Sequence, residues 1–295
     1  QIKNLETGEI LPTKIETTTG GSTWANDNKT LYYTKKDPQT LRSFRIYKHI
    51  LGTDPETDEL VYEEEDETFN SYVYKSKSRE YIIIGSHSTL TTEYRILDAN
   101  TPDKEFKVFQ PRERGLEYSI AHYKDNFYIV TNKDDATNFK LMKTPLAKTE
   151  KEHWEDVIPH RKDFLLEDID IFQKYLVVSE RTNGLNKIRI IEWEGNKEYY
   201  IPFDNETYTA YTSINPDFDT ELLRYTYNSL TTPTSVVEYN MKTGDKTVLK
   251  EQEVLGGNFD KDNYTSERIW ATAKDGTSIP VSLVYKKGLQ KDQKN

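Results

Sequence analysis

A strand pattern recurs five times along the chain at a nearly constant spacing. Each recurrence contains a short run of β-forming residues, and these runs begin at Leu31, Tyr81, Phe127, Tyr175 and Leu222. Successive runs are 50, 46, 48 and 47 residues apart. A period of roughly 40–50 residues built from strands is typical of β-propeller blades, each a four-stranded sheet. The sequence therefore predicts an all-β chain with about five full blades and part of another.

The third and fourth repeats show the predicted strands most clearly. Alternation of apolar and polar residues, as at 187–190, predicts half-buried strands, and Asn183-Gly184 predicts a tight turn between two of them. No stretch has the periodicity of a helix of three turns. The predicted strands are 118–123, 127–132, 139–143 and 154–159 in the third repeat, and 166–172, 175–181, 187–193 and 198–203 in the fourth.

Composition excludes several classes of function. The 295 residues contain no Cys, which excludes disulfides, thiol catalysis and cysteine zinc sites. Fifty acidic against 40 basic residues give a net charge of −10, which argues against a nucleic-acid partner. No stretch is long and apolar enough to be a membrane helix, so no membrane partner is expected. The compartment stays open between cytoplasm and periplasm.

The two ends of the chain differ from the repeats. Residues 2–15 look like the last strands of a blade whose first strands are missing, so we expect an N-terminally truncated propeller over residues 1–263. Residues 264–295 predict a linker and a β-hairpin, with strands at 267–273 and 279–285 around Asp275-Gly276. No blade follows this hairpin. We expect a chain truncated at both ends and held in a larger assembly, with partners for the apolar residues Ile269, Trp270, Val281 and Leu283.

Several polar residues are candidates for a site, and each has a structural alternative. Glu167, Asp168 and Asp170 lie on a predicted inner strand, where paired carboxylates could act as in a propeller glycosidase or could simply line a channel. The acidic run 63–67 could attract a cationic peptide, although such runs are usually solvated loops. The five histidines form no metal-binding or catalytic pattern, and we interpret them as structural or solvent-exposed. They are His49, His87, His122, His153 and His160.

A second charged group lies between two predicted blades. Arg112, Glu113 and Arg114 precede the third repeat, and Glu117 lies just inside it. Residues of such a connection could form ion pairs with a neighbouring domain, although an ordinary surface role is favoured. The sequence contains no nucleotide-binding glycine motif, so no cofactor is expected, and no catalytic, cofactor-binding or metal-binding residue is assigned.

An ordered series of short segments resembles the oligopeptidase B branch of the prolyl oligopeptidase family of serine peptidases. The series spans nearly the whole chain, and its strongest part is at the C-terminal hairpin. The segments are NLETG at 4–8, WAND at 24–27, HILGT at 49–53, YEEED at 62–66, VFQPR at 108–112, EYS at 117–119, ER at 180–181, GL at 184–185, RYTY at 224–227, TTP at 231–233, VLK at 248–250, YTSE at 264–267, DGT at 275–277 and PVSLVY at 280–285.

The resemblance implies a seven-bladed propeller that covers an α/β-hydrolase catalytic domain and limits access to short peptides, which are cleaved after Arg or Lys. It also implies that the hairpin in 264–295 begins the catalytic domain, the expected partner. The family's G-x-S-x-G elbow does not occur here; Gly20 to Trp24 fails at its last position. This chain alone is therefore expected to be inactive. The alternatives are a free-standing propeller used as an interaction scaffold and, third, a propeller glycosidase.

Overall fold

The computed structural model describes residues 1–195, 197–257 and 259–289, and these fold as antiparallel sheets. Five sheets have four strands each, paired in chain order, and a two-stranded hairpin follows them. The chain divides into two compact units. The first comprises Gln1–Ala136 and Lys140–Pro159, and the second comprises Thr137–Phe139 and His160–Asn295.

The first unit contains three sheets. Their strands are β1 (Thr18–Trp24), β2 (Thr30–Lys36), β3 (Ser43–Ile50) and β4 (Glu59–Glu63); β5 (Asn70–Lys75), β6 (Tyr81–His87), β7 (Thr92–Asp98) and β8 (Lys107–Val108); and β9 (Tyr118–Tyr123), β10 (Asn126–Thr131), β11 (Lys140–Pro145) and β12 (Glu155–Ile158). The second unit contains two sheets and the hairpin. Their strands are β13 (Leu165–Ile171), β14 (Tyr175–Thr182), β15 (Leu185–Glu192) and β16 (Glu198–Tyr200); β17 (Tyr208–Thr212), β18 (Leu222–Ser229), β19 (Ser235–Asn240) and β20 (Lys246–Glu251); and β21 (Tyr264–Thr272) with β22 (Ser278–Lys286).

The five repeated runs all lie in the second strand of a sheet, as predicted. These strands are β2, β6, β10, β14 and β18. A second strand has a hydrogen-bonded neighbour on each side, and both of its faces contact side chains. Ile82, Ile83 and Ile84 are consequently all fully buried in β6. Burial on both faces explains why β2, β6, β10 and β14 carry nearly continuous apolar runs rather than alternating ones. In β18 exposed and buried residues alternate instead, with Leu222 exposed and Leu223 buried. The propeller blade prediction is confirmed for all five sheets.

Apolar side chains fill the space between neighbouring sheets within each unit. In the first unit one cluster joins the first and second sheets and another joins the second and third. In the second unit a cluster joins its two four-stranded sheets. It includes Ile188, Ile190, Leu223 and Val237. Packing of one sheet on the next therefore forms the core, as expected for blades.

Two details of the predicted strands depart from simple alternation. In β13 the register shifts between Leu166 and Asp168, a β-bulge that explains the partial alternation of this strand. In β15 Ile188 and Ile190 face the core as predicted, but Arg189 between them is also buried. Its guanidinium lies on the sheet face opposite to Ile188 and Ile190, where the Glu180 carboxylate holds it, as described below.

The prediction of strands in residues 2–15 is wrong. This segment contains a single bridge, between Lys3 and Ile10. The Asn4 side chain accepts hydrogen bonds from two backbone N–H groups, and Gly8 has a φ of 75°, so the chain reverses too tightly for a ladder. Leu5 is 90% exposed, so no neighbouring sheet supports the segment within the described residues.

The hairpin prediction is confirmed by β21 and β22, whose turn contains Asp275 and Gly276. Ile269 and Trp270 are exposed, whereas Val281 and Leu283 are half-buried. Residues 290–295 of the predicted C-terminal segment lie outside the described residues. Helix in the described part of the chain is confined to three single 3-10 turns, and none of the described residues form a helix capable of crossing a membrane.

The core between the two sheets of the second unit gives a first test. We expect Ile190→Ala to lower the free energy of unfolding by about 3 kcal/mol, because it leaves a cavity where Ile190 is fully buried. Val248→Ala, on the exposed β20, is the matched control and should change it by less than about 0.5 kcal/mol. Denaturant unfolding of the full-length protein measures both. Equal effects would contradict the assigned core.

Candidate functional site

The polar clusters lie at one end of the sheets. In a four-stranded antiparallel sheet, the turn between the second and third strands lies at the same end as the connection to the next sheet. We call this end of each sheet its loop end. The connection after β4, the connection after β8 and the turn between β14 and β15 all belong to loop ends, and they carry the charged residues described next.

In the first unit, Arg112 is held between two buried carboxylates. Its guanidinium donates to both oxygens of Glu64, at 3.2 and 2.5 Å, and its backbone N–H donates to Glu93 Oε2 at 3.0 Å. The guanidinium also lies 3.7 Å from the ring centroid of Phe69. Glu64 is 4% exposed and accepts a further hydrogen bond from the Tyr62 hydroxyl at 2.6 Å. The connection before the third sheet is thereby tied to the connection before the second.

The Glu64 carboxyl is ionised because its partners outweigh the cost of burial. Burial alone raises the pKa of a carboxyl. Here the Arg112 guanidinium, the Tyr62 hydroxyl and the Asp66 backbone N–H stabilise the anion, and together they hold the pKa of Glu64 below its ordinary value of 4.5. The cluster is therefore a charged pair at neutral pH.

The second unit repeats the same chemistry with different residues. Glu180, in β14, is fully buried and accepts from Arg161, from Arg189 at 2.6 Å and from the Tyr200 hydroxyl at 2.7 Å. Arg161 lies 4.1 Å from the ring centroid of Phe164. Each unit therefore has a loop-end arginine that stacks on phenylalanine and pairs with a buried glutamate bonded to tyrosine. We call these the two loop-end clusters.

Arg268 attaches the C-terminal hairpin to the loop end of the second unit. The Arg268 guanidinium donates to the carbonyl oxygen of Asn183, in the turn between β14 and β15. Its backbone N–H donates to Glu206 Oε2 at 3.0 Å. Asn183 and Gly184 have φ values of 49° and 73°, the left-handed geometry that the Asn-Gly pair predicts. The turn thus presents a carbonyl to the hairpin.

The three predicted inner-strand carboxylates are not equivalent. Glu167 is engaged by Arg181 at 2.6 Å and Asn186 at 3.0 Å, so it is a structural group. Asp168 and Asp170 line a shallow concavity of the second unit. Asp168 keeps contact with solvent, but the protein around it reduces its hydration, which raises its pKa, and the charge of Asp170 adds to this effect.

The histidines form two partial catalytic pairs, and neither is a triad. His49 Nδ1 lies 2.8 Å from Asp58 Oδ1, deep in the first sheet, and its Nε2 is buried with no partner among the described residues. His122 Nδ1 lies 2.7 Å from Ser78 Oγ, and its Nε2 likewise has none. Burial lowers the pKa of His122. One pair lacks a nucleophile and the other lacks an orienting carboxylate, so both are structural.

The remaining predicted residues mostly have local partners. Glu63 pairs with Arg45 at 2.9 Å, so the acidic run is only partly a free charged surface. Glu113 pairs with Lys151, and Glu117 accepts from Asn132 at 3.3 Å. The other three histidines, His87, His153 and His160, belong to no group of metal-binding side chains among the residues described.

The sequence identifies Arg112 as a candidate, but it does not identify Glu64 as the partner of Arg112, nor the second cluster around Glu180. Glu64 and Glu180 both lie in segments that carry the family resemblance, 62–66 and 180–181. A charged residue inside a predicted strand or at its end is a signal for a buried ion pair, because burial of an unpaired charge is costly. Arg161 gave no such signal, since its loop has no recognisable pattern.

Comparison with known families gives one extended match. A family model described as "Prolyl oligopeptidase, N-terminal beta-propeller domain" matches residues 1–252. Dipeptidyl aminopeptidase BI of Pseudoxanthomonas mexicana is 42% identical over 295 residues, which are 100% of this chain and 40% of that protein. Protease 2 of Moraxella lacunata is 30% identical over 289 residues, which cover 97% of this chain and 41% of that protein. The chain thus spans about two fifths of the length of these relatives.

Solved structures show the same fold. Oligopeptidase B from Leishmania major superposes with a TM-score of 0.87 at 29% identity, over 99% of this chain and 42% of that one. Oligopeptidase B from Trypanosoma brucei with covalently bound antipain, in a closed form, gives a TM-score of 0.85 at 30% identity, over 95% of this chain and 41% of that one.

The loop-end cluster of the first unit predicts an acid-dependent loss of stability. Glu64→Gln removes the carboxylate that accepts two hydrogen bonds from the Arg112 guanidinium and leaves it the weaker contact with Glu93 at 3.6 Å, so we expect the free energy of unfolding at neutral pH to fall by roughly 1–3 kcal/mol. Because the pKa of Glu64 is lowered in the fold, its contribution is present above 4.5 and is lost as the pH falls through the lower, folded-state value. The two proteins should therefore converge in acid.

Denaturant unfolding of the full-length protein at neutral pH and in steps below 4.5 measures this convergence. Glu65→Gln, at an exposed position of the same acidic run, is the matched control and should follow the unmodified protein at every pH. A constant difference between Glu64→Gln and the unmodified protein down to the most acidic pH would contradict the assignment.

Proposed function

The chain belongs to the prolyl oligopeptidase family through its N-terminal β-propeller domain, and from this we propose that it is the non-catalytic, substrate-gating part of a serine oligopeptidase that cleaves short peptides after Arg or Lys. The observation that carries the proposal is the family match over 252 of 295 residues. The relatives that the chain matches over its whole length or nearly so are peptidases by name. Gating and basic-residue specificity are the finer parts of the proposal.

The proposed partner is an α/β-hydrolase domain of the same polypeptide. We propose that residues 1–263 are propeller and that 264–295 are the linker and first hairpin of that domain. The attachment of Arg268 to the Asn183 carbonyl supports this, because it holds the start of the hairpin at the loop end of the second unit. The exposed Ile269 and Trp270 are apolar surface that a further domain would cover.

Charge supports the proposed preference for basic peptides. The chain carries a net charge of −10, and Asp168 and Asp170 are carboxylates that face a concavity. A negative surface attracts a cationic peptide and disfavours an anionic one. The chemistry itself would come from the partner domain, where a serine must be activated by a base and an oriented third group.

A second activity is favoured by one comparison. The relative with 42% identity is named a dipeptidyl aminopeptidase, a name for an enzyme that removes dipeptides from a free amino terminus. The proposed gating role is compatible with either activity, since it concerns which substrates reach the active site and not which bond is cleaved. The scaffold and glycosidase alternatives lack comparable support, because every relative cited above is named as a peptidase, and Glu167 is engaged by Arg181.

The proposed activity can be tested with the full-length protein that contains this chain. We expect hydrolysis of an amino-terminally blocked arginyl amide, at least about a hundredfold faster by kcat/KM than the matched citrulline amide, because the neutral analogue loses a charged contact. A serine-directed inhibitor should abolish it. Removing the blocking group distinguishes the two activities: a rate that requires a free amino terminus favours the dipeptidyl aminopeptidase. Equal rates on arginine and citrulline would refute basic specificity.

The gating role predicts a dependence on substrate length. We expect the full-length protein to cleave short arginine-containing peptides and to leave the same sequence intact when it is embedded in a folded protein. A serine peptidase with an open cleft serves as the control and should cleave both. Efficient cleavage of the embedded site would refute gating and leave the activity itself unaffected.

This chain alone should hydrolyse neither substrate. The described residues contain the two partial pairs His49–Asp58 and His122–Ser78, and neither brings a serine, a base and an acid together. Purified residues 1–295 are assayed with the arginyl amide at high concentration. Activity that survives repurification and is lost on treatment with a serine-directed inhibitor would show that a nucleophile exists here.

A further inference from the structure

A lysine at the end of β5, in the first unit, lies in an unusual polar environment. Lys75 is half-buried, and its Nζ donates a hydrogen bond to the side-chain oxygen of Asn26 at 2.9 Å. Asn26 lies in the turn between β1 and β2, so this bond joins the first sheet to the second. The bond is exposed to solvent, and a small reagent can therefore reach the Lys75 nitrogen.

Lys75 differs from other enclosed lysines because its partner is not a carboxylate. Within the described part of the chain its acceptor is the Asn26 amide, and it forms no ion pair. Lys140, in the third sheet, lies 3.0 Å from both Asp134 and Asp156. Burial works against its charge, but these two hydrogen bonds outweigh burial and raise the pKa of Lys140 above 10.5. Lys75 has no such compensation.

The Asn26 amide is held so that its oxygen faces Lys75. Its NH2 group donates to the carbonyl oxygen of Arg79 at 3.0 Å and to Asn100 Oδ1 at 2.9 Å. Asn100 is held in turn by the Asp98 carboxylate, which accepts from the Asn100 backbone N–H at 2.8 Å. A neutral amide oxygen accepts from an amine as readily as from an ammonium group, so it stabilises the charged form less than a carboxylate does.

The surroundings of Lys75 favour its neutral form. Burial removes water from the ammonium group, and the nearby Arg79 cation repels it, so the pKa of Lys75 is held below its ordinary value of 10.5. The Asp27 carboxylate acts in the opposite direction but is outweighed. Asp27 already accepts from the Lys29 backbone N–H at 2.9 Å and from the Thr30 hydroxyl at 2.7 Å.

We propose that Lys75 is a modification site, which accepts an acyl group from small acyl thioesters more readily than ordinary surface lysines do. Only the neutral amine is nucleophilic, and lysines are activated by partial desolvation and by a neighbouring cation. The nitrogen attacks the thioester carbonyl carbon, the carbon–nitrogen bond forms and the carbon–sulfur bond breaks. The thiolate leaves and takes up the amine proton through solvent.

The modification would act on the contact between the first two sheets. An amide at Lys75 carries no charge and places an acyl group beside Asn26, so the bond that joins β5 to the turn between β1 and β2 is weakened. This inference does not rest on the proposed peptidase function, because it uses residues of the first unit alone.

The test measures acetylation of each lysine in the full-length protein by mass spectrometry, with limiting S-acetyl-N-acetylcysteamine as the thioester. Lys107, exposed on β8 of the same sheet, is the reference. We expect Lys75 to react at least about threefold faster at about pH 7.5, because more of it is neutral. The ratio should fall as the pH rises towards 10.5, where the reference also loses its proton. A ratio that is independent of pH, or below one at neutral pH, would overturn the proposal.

Two substitutions test the cause of the reactivity. Arg79→Gln removes the neighbouring charge and keeps the carbonyl that Asn26 uses, so acetylation of Lys75 should slow by at least about twofold. Asn26→Asp supplies a carboxylate and should slow it further; if that variant is misfolded, Arg79→Gln still decides. Arg224→Gln removes an arginine of the second unit, paired with Glu238 at 3.4 Å, and should change nothing. An unchanged rate in Arg79→Gln would refute the proposal.

Discussion

Four of the five four-stranded sheets bury both faces of their second strand, and this burial is the constraint on which the fold depends. The second strands show it most directly, because residues that point in opposite directions, such as Ile82 and Ile83, are both fully buried. A sheet of this kind has no stable solvent-facing side, so it must stack on neighbours. The three interior clusters are the result of that stacking, and they hold the loop ends at fixed positions within each unit.

Stacking alone leaves the connections between sheets free, and the two loop-end clusters fix them. Each uses a buried glutamate as a common acceptor for arginine and tyrosine, so segments distant in sequence meet at one carboxylate. A buried ion pair contributes little net stability, but removing one partner is costly because the other charge remains. The clusters therefore specify where the loops lie more than they strengthen the fold. Such specificity suits the contact with a further domain that we propose.

The fold was predictable because its signal repeats. The five repeated runs at near-constant spacing reflect a local preference for buried strands, and the Asn183-Gly184 pair reflects a local preference for a turn. Both preferences can be read from the sequence alone. The site was predictable only in part. Glu64 and Arg112 are 48 residues apart, and no local pattern states that they meet. Likewise, residues 2–15 resembled strands, but a strand requires a neighbour, and the Asn4 side chain stabilises a tight turn instead.

The attachment of the hairpin at Asn183 has a mechanical consequence. Arg268 bonds to a carbonyl at the tip of β14 and β15, and these strands are joined by a register of eight residue pairs. The bonds of an antiparallel ladder run perpendicular to its strands. A pull on the hairpin along the strand axis draws β14 and β15 in the same direction, so it loads in shear the ladders that join them to β13 and β16. Tension at this point is therefore shared by several strands of the sheet.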